Sequence, residues 1–165
     1  MCIRDRYGRM YACMYIGTYV HMIESIIALA AFIPVIIGMG GNIGTQSSTI
    51  IVRGMATGRI EVGSELLVLI KELKVGLILG VLYGVLLGIF ANLKFIGTDP
   101  MLGLVVGLSI ASSMLIAVTV GSFTPLILRK LEIDPAVAAG PFVTTSIDIL
   151  GVLLYFVIAG ILLKI

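Results

Sequence analysis

The sequence has 165 residues, of which 59% are hydrophobic and 12% charged, with a mean hydropathy of +1.19. A water-soluble domain carries about 25% charged residues, so a soluble globule is excluded, and disorder is excluded because it requires low hydrophobicity and high charge. An integral membrane bundle remains, and a net charge of +2 gives no basis for a nucleic-acid partner.

Cys2 and Cys13 lie close together near the start and make no disulfide or metal-ligand framework. His21, the one histidine, cannot build a zinc site alone. Met1-Cys2-Ile3-Arg4-Asp5-Arg6 is polar and lacks the apolar run of a signal peptide directly behind it. It resembles the conceptual translation of a transposase adapter. Residues 1–9 are therefore set aside as non-native, and residues 10–165 are read as one membrane domain whose natural chain begins upstream.

The first apolar stretch, residues 10–23, is shorter than the roughly 20 residues a membrane crossing needs. It is read as the remainder of a truncated first helix. The second segment, residues 25–52, is apolar up to Gly38 and then runs Gly38-Met39-Gly40-Gly41-Asn42-Ile43-Gly44-Thr45-Gln46-Ser47-Ser48. Each glycine weakens a helix by about 1 kcal/mol relative to Ala. Disturbed backbone at membrane depth is tolerated only inside protein or beside water. A helix distortion lining a cavity is expected here. The charged stretch from Arg53 to Lys74 is expected at a solvated face, with 62–74 as a short surface helix.

Residues 75–93 form a clean span in which Gly76, Gly80, Gly84 and Gly88 recur every fourth residue. That spacing puts them on one face, where a neighbouring helix can approach closely. The next spans are 101–128, with Pro125 near its end, and 136–163. The expectation is an all-α, polytopic bundle of five transmembrane helices with the first truncated. Arg53, Arg59, Lys71 and Lys74 in one loop and Arg129 and Lys130 in another outnumber the single Lys94 between them. By the positive-inside rule the richer loops face the cytoplasm and the C-terminus lies outside the cell membrane.

Asp148 is the one acidic or basic residue well inside an apolar span. A carboxylate there costs about 2.5–3.5 kcal/mol on insertion scales and usually marks an ion or proton path. Thr144, Asp148, Gly151 and Tyr155 share its helix face, and Asn42, Gln46, Thr49 and Arg53 repeat the spacing on the second segment. These stripes fit either hydrogen bonding between helices or pore lining. Their oxygen donors suit hard cations, and a single carboxylate suits an ion that keeps most of its water, such as Mg²⁺. A symmetric dimer would bring two such carboxylates to one axis. A proton-coupled carrier titrating at Asp148 is an alternative. An enzyme is not expected, since neither HExxH nor a serine–histidine pairing is visible.

Pro34 to Ser48, continuing to Arg53-Gly54-Met55-Ala56-Thr57-Gly58, resembles the second membrane helix of the MgtE-type magnesium transporters and channels, and Pro141-Phe142-Val143-Thr144-Thr145-Ser146-Ile147-Asp148-Ile149-Leu150-Gly151 resembles their fifth. Lys71-Glu72 and Asp134-Pro135 also fit, and the resemblance spans about Glu24 to Leu163. It implies a homodimer in the lipid bilayer with a central pore for Mg²⁺ and related divalent cations, without the cytoplasmic sensor domains usual in the family. Asp148 would hold a largely hydrated Mg²⁺, with backbone carbonyls around Gly41, Gly44 and Thr144 as companions. Asn42, Thr45 and Gln46 would shape the pore neck, and Thr49, Thr145 and Tyr155 are grouped with them as pore-lining. Asp134 would help gate or attract cations at the cytoplasmic mouth. For the isolated polypeptide, a fragment that packs without conducting is a further alternative.

Overall fold

The computed structural model describes residues 4–60, 65–95 and 100–163, with side chains described from residue 27 onward except at 137–139. Four helices make up nearly all of this: α1 Arg4–Ala56, α2 Glu65–Lys94, α3 Leu102–Lys130 and α4 Pro135–Leu163. Each is long and apolar enough to cross a membrane, α1 through its part Ile27–Ala56 and α4 through Gly140–Leu163.

The expected count of five is thus four among the described residues. Residues 10–23 are no separate element, because α1 runs through Glu24 and Ser25 without interruption. Neither residue breaks a helix as Pro or Gly would. Likewise 62–74 is no separate surface helix. From Glu65 it is the first part of α2 and continues into the apolar span, while 61–64 lie outside the described residues.

Helix α3 is central. It packs against α1, α2 and α4, whereas α1 and α2 barely meet. The core joins Ala28, Leu29, Phe32 and Ile36 of α1 to Leu102, Val105, Val106, Ile110 and Met114 of α3 and Tyr155 and Ala159 of α4. A smaller cluster of Ala117, Val143 and Ile147 continues it between α3 and α4.

The glycine stripe of α2 does what its spacing predicts. Gly76, Gly80, Gly84 and Gly88 are buried. A methyl on Gly84 would stand 2.6 Å from the Gly107 carbonyl of α3, and one on Gly88 would stand 2.7 Å from that of Gly103. With lipid tails as apolar as leucine, close backbone approach supplies the attraction that water supplies elsewhere. The other faces of α2 leave Leu77, Ile78, Val81, Leu82, Val85 and Leu86 exposed, a surface that belongs in hydrocarbon.

Short connections fix the order of the helices. α1 ends in a Schellman motif, with Gly58 at φ +68°, its N–H on the Met55 carbonyl and that of Arg59 on Gly54. α3 ends the same way, with Glu132 at φ +59° in the position glycine usually takes, Glu132 N–H on Arg129 and Ile133 N–H on Leu128. At the other end of α3, the Asn92 side chain of α2 accepts the Gly103 N–H at 3.0 Å, pairing one of the orphan donors of a helix start.

Candidate ion pathway

Helix α1 keeps its helical hydrogen bonding from Gly38 through Ser48. The expected distortion is absent, because the glycines serve close packing. A methyl on Gly40 would stand 3.0 Å from Ile147 and 3.2 Å from the Ser113 hydroxyl, and one on Gly44 would overlap the tip of Ile147 and stand 3.1 Å from the Ala117 carbonyl. α1 can therefore lie directly against α3 and α4.

This approach brings Asp148 to Gly41. A Cβ built on Gly41 would lie 4.0 Å from Asp148 Oδ1, with nothing else nearer. The aspartate is half-buried and faces backbone that carries no side chain. Thr144, one turn earlier on α4, is also half-buried, and its hydroxyl donates to the Gly140 and Pro141 carbonyls at 3.3 and 3.2 Å. Thr145 is exposed and donates to Pro141 at 2.9 Å. On α1, the Thr45 hydroxyl donates to the Gly41 carbonyl at 2.8 Å and Thr49 to that of Thr45 at 2.8 Å, while Asn42 and Gln46 are exposed.

A cleft of about 310 Å³ opens between the end of α1 and the start of α4, lined by Thr45, Ser48, Thr49, Val52, Arg53, Pro135, Ala136 and Gly140. Ser48 ends the run expected to line a cavity, whereas Val52 and Gly140 were not singled out from the sequence. Ser48 and Val52 stand in or beside the polar run, but only the neighbouring helix shows which way they face. Asp134 sits at this mouth as the cap of α4. Its Oδ1 accepts the Ala136 N–H at 2.9 Å, the usual arrangement of an Asp-Pro helix start.

Two expected members are drawn elsewhere. Tyr155 is fully buried, and its hydroxyl donates to the Leu29 carbonyl of α1 at 2.8 Å. It shares a helix face with Thr144, but 11 residues are about 16 Å along the axis, which puts it in a different layer and in the core. The Gly44 carbonyl lies in the seam with α3, where a methyl on Gly121 would strike it, and so is turned toward α3. Among the described residues, no three His, Cys, Asp or Glu side chains gather as a metal would need. The arrangement offers one carboxylate, hydroxyls and backbone oxygens: a lining for a hydrated cation and no closed coordination cage.

Comparison with known proteins places the chain in a family. The family model described as "Divalent cation transporter" (MgtE) matches residues 33–158. The chain is 38% identical over 143 residues to the magnesium transporter MgtE of Thermus thermophilus, covering 87% of this chain and 31% of that protein. It is 36% identical over 137 residues to the protein of the same name in Bacillus subtilis, covering 83% and 30%. With that of Enterococcus faecalis the identity is 33% over 153 residues, covering 90% and 32%. The chain thus spans roughly a third of the length of these curated relatives. Since the match covers most of the helical bundle and both motif-bearing helices, the chain belongs to the MgtE family of divalent cation transporters.

Proposed function

We propose that the chain forms the pore of a Mg²⁺ channel, passing the hydrated ion inward down its electrochemical gradient. The observation that carries this reading is the apposition of Asp148 on α4 to Gly41 on α1, a lone membrane carboxylate opposite backbone with no side chain. The names of the relatives, all magnesium transporters, supply the ion. A membrane potential acts on each charge with about 2.3 kcal/mol per 100 mV, so a divalent ion needs no other energy source. Selection rests on fitting an ion that dehydrates reluctantly between carboxylates and oxygens.

The finer parts of the reading go with it. Two chains pair so that two Asp148 carboxylates share one axis. Thr144, Thr145, Asn42, Thr45, Gln46 and Thr49 line the route on either side, and Asp134 attracts cations at the mouth while capping α4. The ends carrying Arg53 and Lys130 face the cytoplasm.

The test is Mg²⁺ influx into proteoliposomes under an inside-negative potential. Asp148→Asn preserves size and removes the charge, and it is expected to abolish influx while the protein still elutes as one species. Retained influx in that variant overturns the assignment. Influx that collapses with a proton gradient at constant voltage overturns the passive mechanism.

A further inference from the structure

Glu72 lies on the packing stripe of α2, between the buried Leu69 and the buried Gly76. A carboxylate on such a stripe is costly unless it has a partner. Its partner is Ser47 of α1, which is 3% exposed and whose hydroxyl donates to Glu72 Oε2 at 2.8 Å. Among the described residues this is the one side-chain hydrogen bond between α1 and α2, two helices that otherwise scarcely touch.

The place of Ser47 on α1 gives the bond its consequence. At about 100° per residue, Thr45 and Thr49 each lie about 160° around the helix from Ser47. Those two residues line the cleft between α1 and α4. Whatever holds Ser47 toward α2 therefore turns the threonines toward the cleft. The glycines above cannot do this alone: Gly40 and Gly44 let α1 approach its neighbours but offer no directional bond.

We propose that Glu72 is a positioning residue of the ion pathway, fixing through Ser47 the rotation of α1 that presents Thr45 and Thr49 to the cleft. The proposal rests on reading the cleft as the ion route, and its test separates the two. Cys2 and Cys13 are replaced by serine, Thr49→Cys is introduced, and its modification by a membrane-impermeant thiol reagent is timed in proteoliposomes. Loss of one hydrogen bond predicts a fall in labelling rate of about fivefold in Glu72→Ala. Ser47→Ala should match it, and the double variant should go no further. Glu72→Gln should keep the parent rate, because its amide oxygen accepts the same bond. A smaller change in Ser47→Ala, or a Gln variant that behaves like Ala, overturns the proposal. The second outcome would assign the effect to charge. Ser47→Ala is the smallest change in volume and carries the test should Glu72→Ala fail to elute as one species. Asp148→Asn is measured alongside for Mg²⁺ influx. If it conducts while the labelling pattern holds, the pore reading fails and the positioning role stands.

Discussion

Glycines within one helix carry different loads, and the space around each says which. A methyl on Gly121 would run into the backbone of Gly44 on the facing helix, and backbone cannot swing aside as a side-chain tip can. Gly121→Ala must therefore push α3 off α1, and it is expected to cost about 1–3 kcal/mol, as overpacking in a tight core does. Gly38 has nothing within 4 Å of where a Cβ would stand. Gly38→Ala should be neutral or stabilising by up to about 1 kcal/mol, through helix propensity alone. Thermal unfolding of the two variants in one detergent checks the ordering, and an equal loss in both would contradict it. Glu132 is the complementary case: an exposed side chain held at φ +59°. A left-handed conformation costs an L-residue about 1–2 kcal/mol, which glycine avoids. Glu132→Gly should raise the midpoint of that unfolding, and Glu132→Val should lower it.

At the scale of elements, the pairing of α2 with α3 is the part most directly readable from sequence. Four glycines at intervals of four define one face, and the structure sets that face against Gly103, Gly107, Ala111 and Val118. Gly84→Leu inserts a branched side chain where the facing carbonyl already lies 2.6 Å from a single methyl. It is expected to separate the hairpin and to shift the protein to aggregates on size exclusion in detergent, whereas Val85→Leu, on the exposed face, should leave the profile unchanged. The Gly38–Ser48 run was harder to read. A helix-propensity penalty per glycine argues for distortion, but in hydrocarbon the backbone has no water to turn to, so the helix persists and the glycines become a seam for Ile147 and Ala117. Tyr155 misled for a different reason: angular spacing reports which side of a helix a residue is on but not which layer it occupies. Glu72 was hidden among Lys71 and Lys74, where charge density suggested a solvated loop, and only the packing of α1 beside α2 reveals its bond to Ser47. Asp148 stands out in the sequence because a lone carboxylate in an apolar helix is costly to insert, and the structure adds its apposition to Gly41, on which the proposed role rests.

At the scale of the whole molecule, the distribution of polar groups asks for a further partner. Thr145, Asn42 and Gln46 are exposed and Asp148 is half-buried, and large apolar residues of α4 such as Phe142, Ile149 and Leu153, at three, four and eight positions from Thr145, are exposed as well. Facing lipid, a carboxylate and two amides would cost several kcal/mol together. A second copy of the chain related by a two-fold axis would cover the same patch on both partners, as a self-complementary interface requires, and would leave the polar strip between them open to water. The proposed pore therefore makes a geometric prediction about the pair. With Cys2 and Cys13 replaced by serine, Thr145→Cys should give a disulfide-linked dimer under mild oxidation in membranes, since residues near a two-fold axis meet their own copies. Leu86→Cys, on the exposed outer face of α2, should remain monomeric under the same conditions. Cross-linking at Leu86 with none at Thr145 would place the contact between copies on the wrong side of the bundle and leave Asp148 without a second carboxylate opposite it.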